Sequence, residues 1–387
     1  MKTPIYMDHN ATTAVYPEVK EVIKHALDLT GNASSVHTSG RAARKLIEDS
    51  RDSVAKMVNA NSKDVVFTSG GTEANNMAIR SFAKSSAKIR ILASAVEHSS
   101  ILKASPNIEI VPVNSKGIID LEALDIMLTE SPWESGFGST LVSVMLANNE
   151  TGVIQPIPDV VSIAGRHGAL VHCDAVQAAG KIPFDLKALG VNLLSLSAHK
   201  IGGTAGVGAL IINDDLKKDV KLLPLLFGGG QERGKRAGTE NLSGIAGFGH
   251  AVEYTLKNLP KYKKISILRD RIEKELSSHS NVRVFGSGVS RLPNTSNLTM
   301  PGVSADRQII AFDLAGFSLS AGSACSSGKV GPSHVLAAMG VANDEASTAI
   351  RISLGFPITS KNVEMFIKVW RDIFKRSNAS TKDLEAA

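Results

Sequence analysis

The chain has 387 residues, 43% of them hydrophobic and 21% charged, with a formal net charge of +6. That length accommodates more than one core, and the balance is ordinary for a soluble globular protein. It excludes a membrane span, because no apolar run is long enough, and it gives no reason to expect direct nucleic-acid binding, because no basic stripe is interleaved with aromatics. The two cysteines, Cys173 and Cys325, form no CxxC, no zinc spacing and no disulfide framework, so no metal site is expected and a reducing cytoplasm is the expected compartment. The N-terminus reaches Ile5-Tyr6-Met7-Asp8 at once and carries no basic-then-apolar leader pattern.

In chain order, Asp8 to Thr13 (DHNATT) is polar and turn-prone. Pro17 opens a helical stretch to Leu29, and after a second polar loop (GNASSVH) Arg41 to Asn59 reads as a long amphipathic helix. Val65–Thr68 is a short strand running into Ser69-Gly70-Gly71-Thr72-Glu73, which opens another helix. Apolar runs at Ile89–Ala93, Ile108–Val113, Leu141–Ala147, Leu170–Cys173, Leu193–Leu196 and Gly208–Ile212 then alternate with helical patterns. Such alternation predicts an α/β fold with a mostly parallel, doubly wound sheet. After about residue 255 the pattern changes. Ile265–Ser277 reads as a charged helix, Val282–Phe285, Ser296–Thr299 and Ile309–Ala311 as strands and turns, Val363–Phe374 as a closing helix and the tail from Ser377 as frayed. A boundary is therefore expected near Tyr254–Tyr262.

Two runs carry the chemistry. Val171-His172-Cys173 ends in Asp174 and, three residues on, Gln177; Leu193–Leu196 ends in Ser197, then His199 and Lys200. Buried strands that end in polar groups deliver those groups to a site at the sheet edge. A lysine amine able to form a Schiff base, with a carboxylate one strand–crossover–strand unit away to hold a pyridine nitrogen protonated, suits pyridoxal phosphate. By spacing alone, a structural aspartate and a surface lysine explain the pair more often. Gly71 and Thr72, at a strand-to-helix turn, suit a phosphate, although a plain turn and N-cap fits equally. His98 can lie on a cofactor ring, and Asn149, in ANNETG, can bond a phenolic oxygen; a structural histidine and an Asx-turn are the alternatives. Ser197 and His199 can bind phosphate, as can the flexible basic loop Gly228–Thr239, if it is more than a solvated turn. Arg351, in an otherwise apolar strand, needs an anion, and a substrate carboxylate would supply one. Cys325 lies in a run of small residues, GSACSSG, that cannot pack as a core and reads as a mobile loop with a reactive thiol, whereas Cys173 reads as a buried small hydrophobe.

Taken together, YMDHNATT, GNASSVH, FTSGGTEANN, EHSS, ANNETG, VHCDAVQ, SAHK, GGGQERGKRAGT, GSACSSG and IRISLG, in this order, resemble the cysteine desulfurases of the class V aminotransferase group. The long loop around Cys325 resembles the group that supplies iron–sulfur clusters and thionucleosides. The resemblance implies a fold-type I pyridoxal-phosphate enzyme. Its N-terminal segment, 1–14, would associate with the small domain; a large cofactor-binding domain would span 15–255 and a small domain carrying the cysteine loop 256–387. It implies that Lys200 holds the cofactor and moves the α-proton. Asp174 would pair with the ring nitrogen, Gln177 and Asn149 would bond the ring oxygen or substrate, and His98 would stack on the ring. Gly71, Thr72, Ser197 and His199 would hold the phosphate, with Thr239 reaching the phosphate of the neighbouring subunit of a homodimer. Arg351 would clamp the carboxylate of L-cysteine. Cys325 would take the sulfur as a persulfide, leaving L-alanine, and pass it to an acceptor protein such as an iron–sulfur scaffold or a tRNA-thiolation enzyme.

Three other readings share parts of this pattern. An aminotransferase needs no thiol on a loop, and Cys325 argues against it. A selenocysteine lyase would use the same cofactor site. A sulfur-relay scaffold with a dead site would lack Lys200 or Asp174, and both are present.

Overall fold

The computed structural model describes residues 4–83, 88–129, 137–213, 223–279, 281–321 and 333–385. Cys325 and the run from 322 to 332 lie outside the described residues. Twelve strands are seen among them: β1 (Ile5–Tyr6), β2 (Val65–Thr68), β3 (Lys88–Ser94), β4 (Ile108–Val111), β5 (Phe137–Ser143), β6 (Leu170–Asp174), β7 (Leu193–Ser197), β8 (Gly208–Ile212), β9 (Thr295–Thr299), β10 (Phe317–Ser318), β11 (Ser320–Ala321) and β12 (Ala349–Ser353).

The main sheet has seven strands in the order β2-β8-β7-β6-β5-β3-β4. The run from β7 to β4 is parallel, whereas β8 is antiparallel to both β7 and β2. Its residues are apolar on both faces because helices cover both. In β2, Val65 and Phe67 join the core beneath the helices Thr38–Met57, Ile157–Arg166 and Leu242–Asn258, while Val66 joins the opposite core under the helix Gly71–Ala83. Gly249 lets two of these helices touch: a Cβ there would stand 2.7 Å from Ser50. The helix Pro17–Asp28 starts as its sequence dictates, with proline in its first turn, where no amide donor is lost, and Glu18 near the positive end of its dipole.

A second core forms around the three-stranded sheet β11-β12-β9 and the helices Tyr262–Leu276, Ala305–Leu314 and Ser360–Glu385. Phe312 and Phe366 stack there with ring centroids 4.9 Å apart. The N-terminal segment belongs with it: β1 pairs with β10, and Met7 is fully buried in the same cluster.

Several expectations need correcting here. Ile309–Ala311 is not a strand but the middle of the helix Ala305–Leu314, whose buried Ala305, Gln308 and Phe312 keep helical spacing. Val282–Phe285 makes only an isolated bridge, Val284 to Leu298. The closing helix does not fray at Ser377; it continues to Glu385. Strand β5 ends at Ser143, although the amides of Val144 and Leu146 still bond the carbonyls of His172 and Asp174. The loop Gly228–Thr239 is largely exposed but is anchored at Glu232. Glu232 is buried in a two-pronged pair with Arg51, at 2.7 and 2.9 Å, and also accepts the Phe67 amide. Breaking such a pair by removing one partner strands the other charge, at a typical cost of about 3–5 kcal/mol.

Candidate active site

The carboxyl ends of the parallel strands open onto one cavity of about 370 Å³. Chain order reverses between β5 and β3, the position at which open α/β sheets form a crevice. Gly71, Thr72, His98, Asn149, Asp174, Gln177, Ser197, His199, Lys200 and Arg351 all line it. Every expected small-molecule contact therefore converges on one place, with two exceptions. Thr239 lines a smaller adjoining cavity beside Ser69, Gly206 and Arg236. Cys325 lies outside the described residues.

Asp174 ends β6 and is held on both oxygens. Oδ1 accepts the Val176 amide at 2.9 Å, and Oδ2 accepts from Asn75 Nδ2 at 2.7 Å. Asn75 also bonds Ser100 Oγ at 2.9 Å, and that hydroxyl lies 2.7 Å from His98 Nδ1. A hydrogen-bonded chain thus ties the carboxylate to the histidine. His98 Nδ1 also accepts the Ser100 amide, so the neutral ring carries its proton on Nε2. Burial lowers the His98 pKa; nearby Asp174 opposes this, and Lys200 and His334 reinforce it.

Lys200 follows β7, and its Nζ donates to the carbonyls of Asn10, at 2.6 Å, and Ala11, at 2.7 Å. The polar DHNATT run is therefore part of the site. Thr13 fastens it, its amide bonding the His199 carbonyl at 2.9 Å. Burial, with Lys200 adding to it, pushes the His199 pKa down to about 4, so that ring is neutral at pH 7.

Arg351 sits mid-strand in β12. Its neighbours Ile350 and Ile352 enter the second core, so alternation turns the guanidinium the other way, to the cavity. Its anion partner is already present: Asp8 Oδ1 at 2.7 Å, with the Asn149 carbonyl at 3.1 Å from Nη1. Asp8 in turn accepts from Ser320 Oγ at 2.6 Å. Beside this group Glu150 is buried, and burial raises its pKa to about 7 against the opposing Ser333 hydroxyl and Arg351.

The histidine and the thiol of β6, His172 and Cys173, do not line this cavity. His172 is fully buried between Ser143 and Ser195 hydroxyls, each 2.9 Å away, and burial drops its pKa to about 3. Cys173 is fully buried in the main core, and burial, with Asp174 and Glu97 adding to it, keeps its thiol protonated.

These residues fit pyridoxal phosphate on grounds internal to the structure. Gly71 opens a 13-residue helix whose first amides have no partner within it, and it lies so close to the floor that a Cβ would stand 3.0 Å from Val176 Cγ2. Thr72, Ser197, His199, Asp174 and Lys200 line the same cavity. Asn75, Ser100, Asn10 and Asp8 were not singled out from the sequence. All four lie inside motifs of the resemblance, and Asn75 has a local signal besides: it follows Gly71 by one helical turn and so shares its face.

A family model for the class V aminotransferases matches residues 5–366. The chain belongs to that family. It is 40% identical to the protein called cysteine desulfurase IscS from Dictyoglomus turgidum, covering 97% of this chain and 96% of that one. Cysteine desulfurase from Sinorhizobium fredii is also 40% identical, covering 97% and 98%. Among solved structures, the NifS-like protein from Rickettsia africae superposes with a TM-score of 0.87 at 40% identity, covering 96% of this chain and 99% of that one.

Proposed function

We propose that the chain is a pyridoxal-phosphate-dependent cysteine desulfurase that takes sulfur from L-cysteine and releases L-alanine. The observation that carries this reading is the meeting of Asp174, Lys200 and the helix end at Gly71 on one cavity. The cofactor, when bound, supplies an electron sink for the substrate's α-carbon. Lys200 would hold it covalently and would move the proton at that carbon. Asp174, fixed by Asn75, would pair with the ring nitrogen; His98 would cover the ring; Gln177 and Asn149 would bond its oxygen or the substrate. Gly71, Thr72, Ser197 and His199 would hold the phosphate. Arg351 binds the substrate carboxylate, which must share the guanidinium with Asp8.

Cys325 is the proposed sulfur acceptor, a role that rests on the sequence. Its thiolate bonds the substrate sulfur as the carbon–sulfur bond breaks. The electron pair of that bond stays with the substrate carbon, which takes up a proton and leaves in L-alanine. Incubation of the purified protein with the cofactor, L-cysteine and a thiol reductant is expected to yield L-alanine and sulfide in equal amounts. A keto acid in place of alanine would instead establish an aminotransferase.

The reading extends to assembly. A homodimer is proposed, with Thr239 completing the phosphate site of the neighbouring subunit, since Thr239 lines its own subunit's adjoining cavity and not the main one. Mixing Lys200→Ala and Thr239→Ala subunits is expected to restore part of the lost activity, because one site in each hybrid is intact. Confirmed hybrids with no recovery would rule out the shared site. A division at 1–14, 15–255 and 256–387 fits the two cores and the pairing of β1 with β10. The sulfur acceptor is proposed to be an iron–sulfur scaffold or a thiolation enzyme in the cytoplasm.

A further inference from the structure

We propose that Lys181 is a positioning residue for this site: wedged between two side-chain amides, it fixes which way each faces and so makes Gln177 a hydrogen-bond donor toward the cavity. The proposal rests on the pyridoxal-phosphate reading of the site. Lys181 is only 2% exposed, and its Nζ donates to Gln177 Oε1 at 2.8 Å and to Asn10 Oδ1 at 3.0 Å. Neither partner is a carboxylate, so the amine is not there as half of an ion pair. The charged groups around it have its own sign: Lys200 and Arg351 add to burial in lowering its pKa well below the usual lysine range. His9 and His199, which also feel its charge, are themselves held largely neutral, chiefly by burial. Whether charged or neutral, the amine has at least two N–H groups, one for each amide oxygen.

With both oxygens turned to Lys181, both NH2 ends are turned away from it. Gln177 Nε2 spends one hydrogen on the Asn10 carbonyl at 3.0 Å, the same carbonyl that receives Lys200 Nζ. Its second hydrogen remains for the cavity that Gln177 lines. Asn10 Nδ2 bonds the Asn149 carbonyl at 3.1 Å and Thr295 Oγ1 at 2.9 Å. The Asn149 carbonyl is in turn a partner of Arg351. One amine therefore joins two arms, one through Gln177 beside Lys200 and one through Asn10 toward Arg351, the second shared with Asn294, whose Nδ2 also donates to Asn10 Oδ1 at 3.2 Å. Turning the Gln177 amide over would set NH2 against the Lys181 donors and oxygen against the Asn10 carbonyl, two repulsive contacts in a buried site.

The test uses the pyridoxal-phosphate holoenzyme and the pH midpoint of its visible absorption change. A donor on the cofactor's phenolic oxygen favours the deprotonated form. Lys181→Met, which removes the amine and keeps an unbranched chain, is expected to move the midpoint up by about one pH unit. Gln177→Ala is expected to do the same, and the double variant no more than Gln177→Ala alone, because Lys181 acts through Gln177. Should Lys181→Met not fold, Lys181→Gln replaces the all-donor group and is read against the same expectation. A coloured variant with an unmoved midpoint, or shifts that add in the double variant, overturns the proposal. Wild-type protein that takes up no pyridoxal phosphate overturns the site reading itself, and this proposal with it.

Discussion

Lys200→Ala is expected to abolish covalent retention of pyridoxal phosphate and to lower L-alanine formation by a factor on the order of 10³ or more, because one residue supplies both the covalent attachment and the proton transfer. Among the described residues, Lys200 is the lysine that lines the cavity, and the Nζ of nearby Lys181 is engaged by Gln177 and Asn10. Borohydride treatment followed by peptide mapping is the measurement. Wild-type protein should carry the reduced adduct on Lys200, and the variant should carry none. An adduct of equal yield on any other lysine would show that Lys200 is not the attachment point. The variant leaves the carbonyls of Asn10 and Ala11 without this donor, so a thermal unfolding curve should accompany the assay to separate lost chemistry from lost structure.

The second large effect separates the two thiols. Cys325→Ser is expected to keep the cofactor and still bind L-cysteine, yet to lose L-alanine production by a factor of roughly 10² or more, since an alcohol is a far weaker nucleophile toward sulfur. Cys173→Ser is expected to retain turnover and to cost about 1 kcal/mol of stability, for a hydroxyl placed in an apolar core. The structure sharpens this contrast on the Cys173 side. A fully buried thiol whose pKa is pushed up, first by burial and then by Asp174 and Glu97, offers neither access nor thiolate. If Cys173→Ser proved inactive while Cys325→Ser turned over normally, the sulfur-acceptor assignment would be wrong.

The parts of this molecule that were legible in the sequence share a local cause. Gly208–Ile212 and Val65–Thr68 are strands at those bounds because their β-prone apolar runs stop at turn-forming residues, Asn213 and Ser69. Asp174 and Ser197 stand out because each follows such a run directly, and Lys200 because it lies three residues beyond Ser197. Ile309–Ala311 misled because three apolar residues have no period of their own; the helix is apparent only from Ala305, Gln308 and Phe312 on either side. Arg351 was read as needing an anion, which is correct chemistry, but its partner Asp8 is 343 positions away and nothing local announces it. The same holds for Lys181, whose neighbouring sequence shows a lysine in a turn and whose partner Asn10 is 171 positions away.

That distance between partners also orders events during synthesis. A nascent chain holds Asp174, Gln177 and Lys200 long before it holds Ser353, whose hydroxyl accepts the Asn10 amide, or Thr295 and Asn294, which grip the Asn10 side chain. The sheet that bears the lysine can form while translation continues, but the amide hub around Asn10 waits until Asn294, Thr295 and Ser353 have been made. A chain shorter than that carries a Lys200 whose partner Asn10 is not yet held by these three residues.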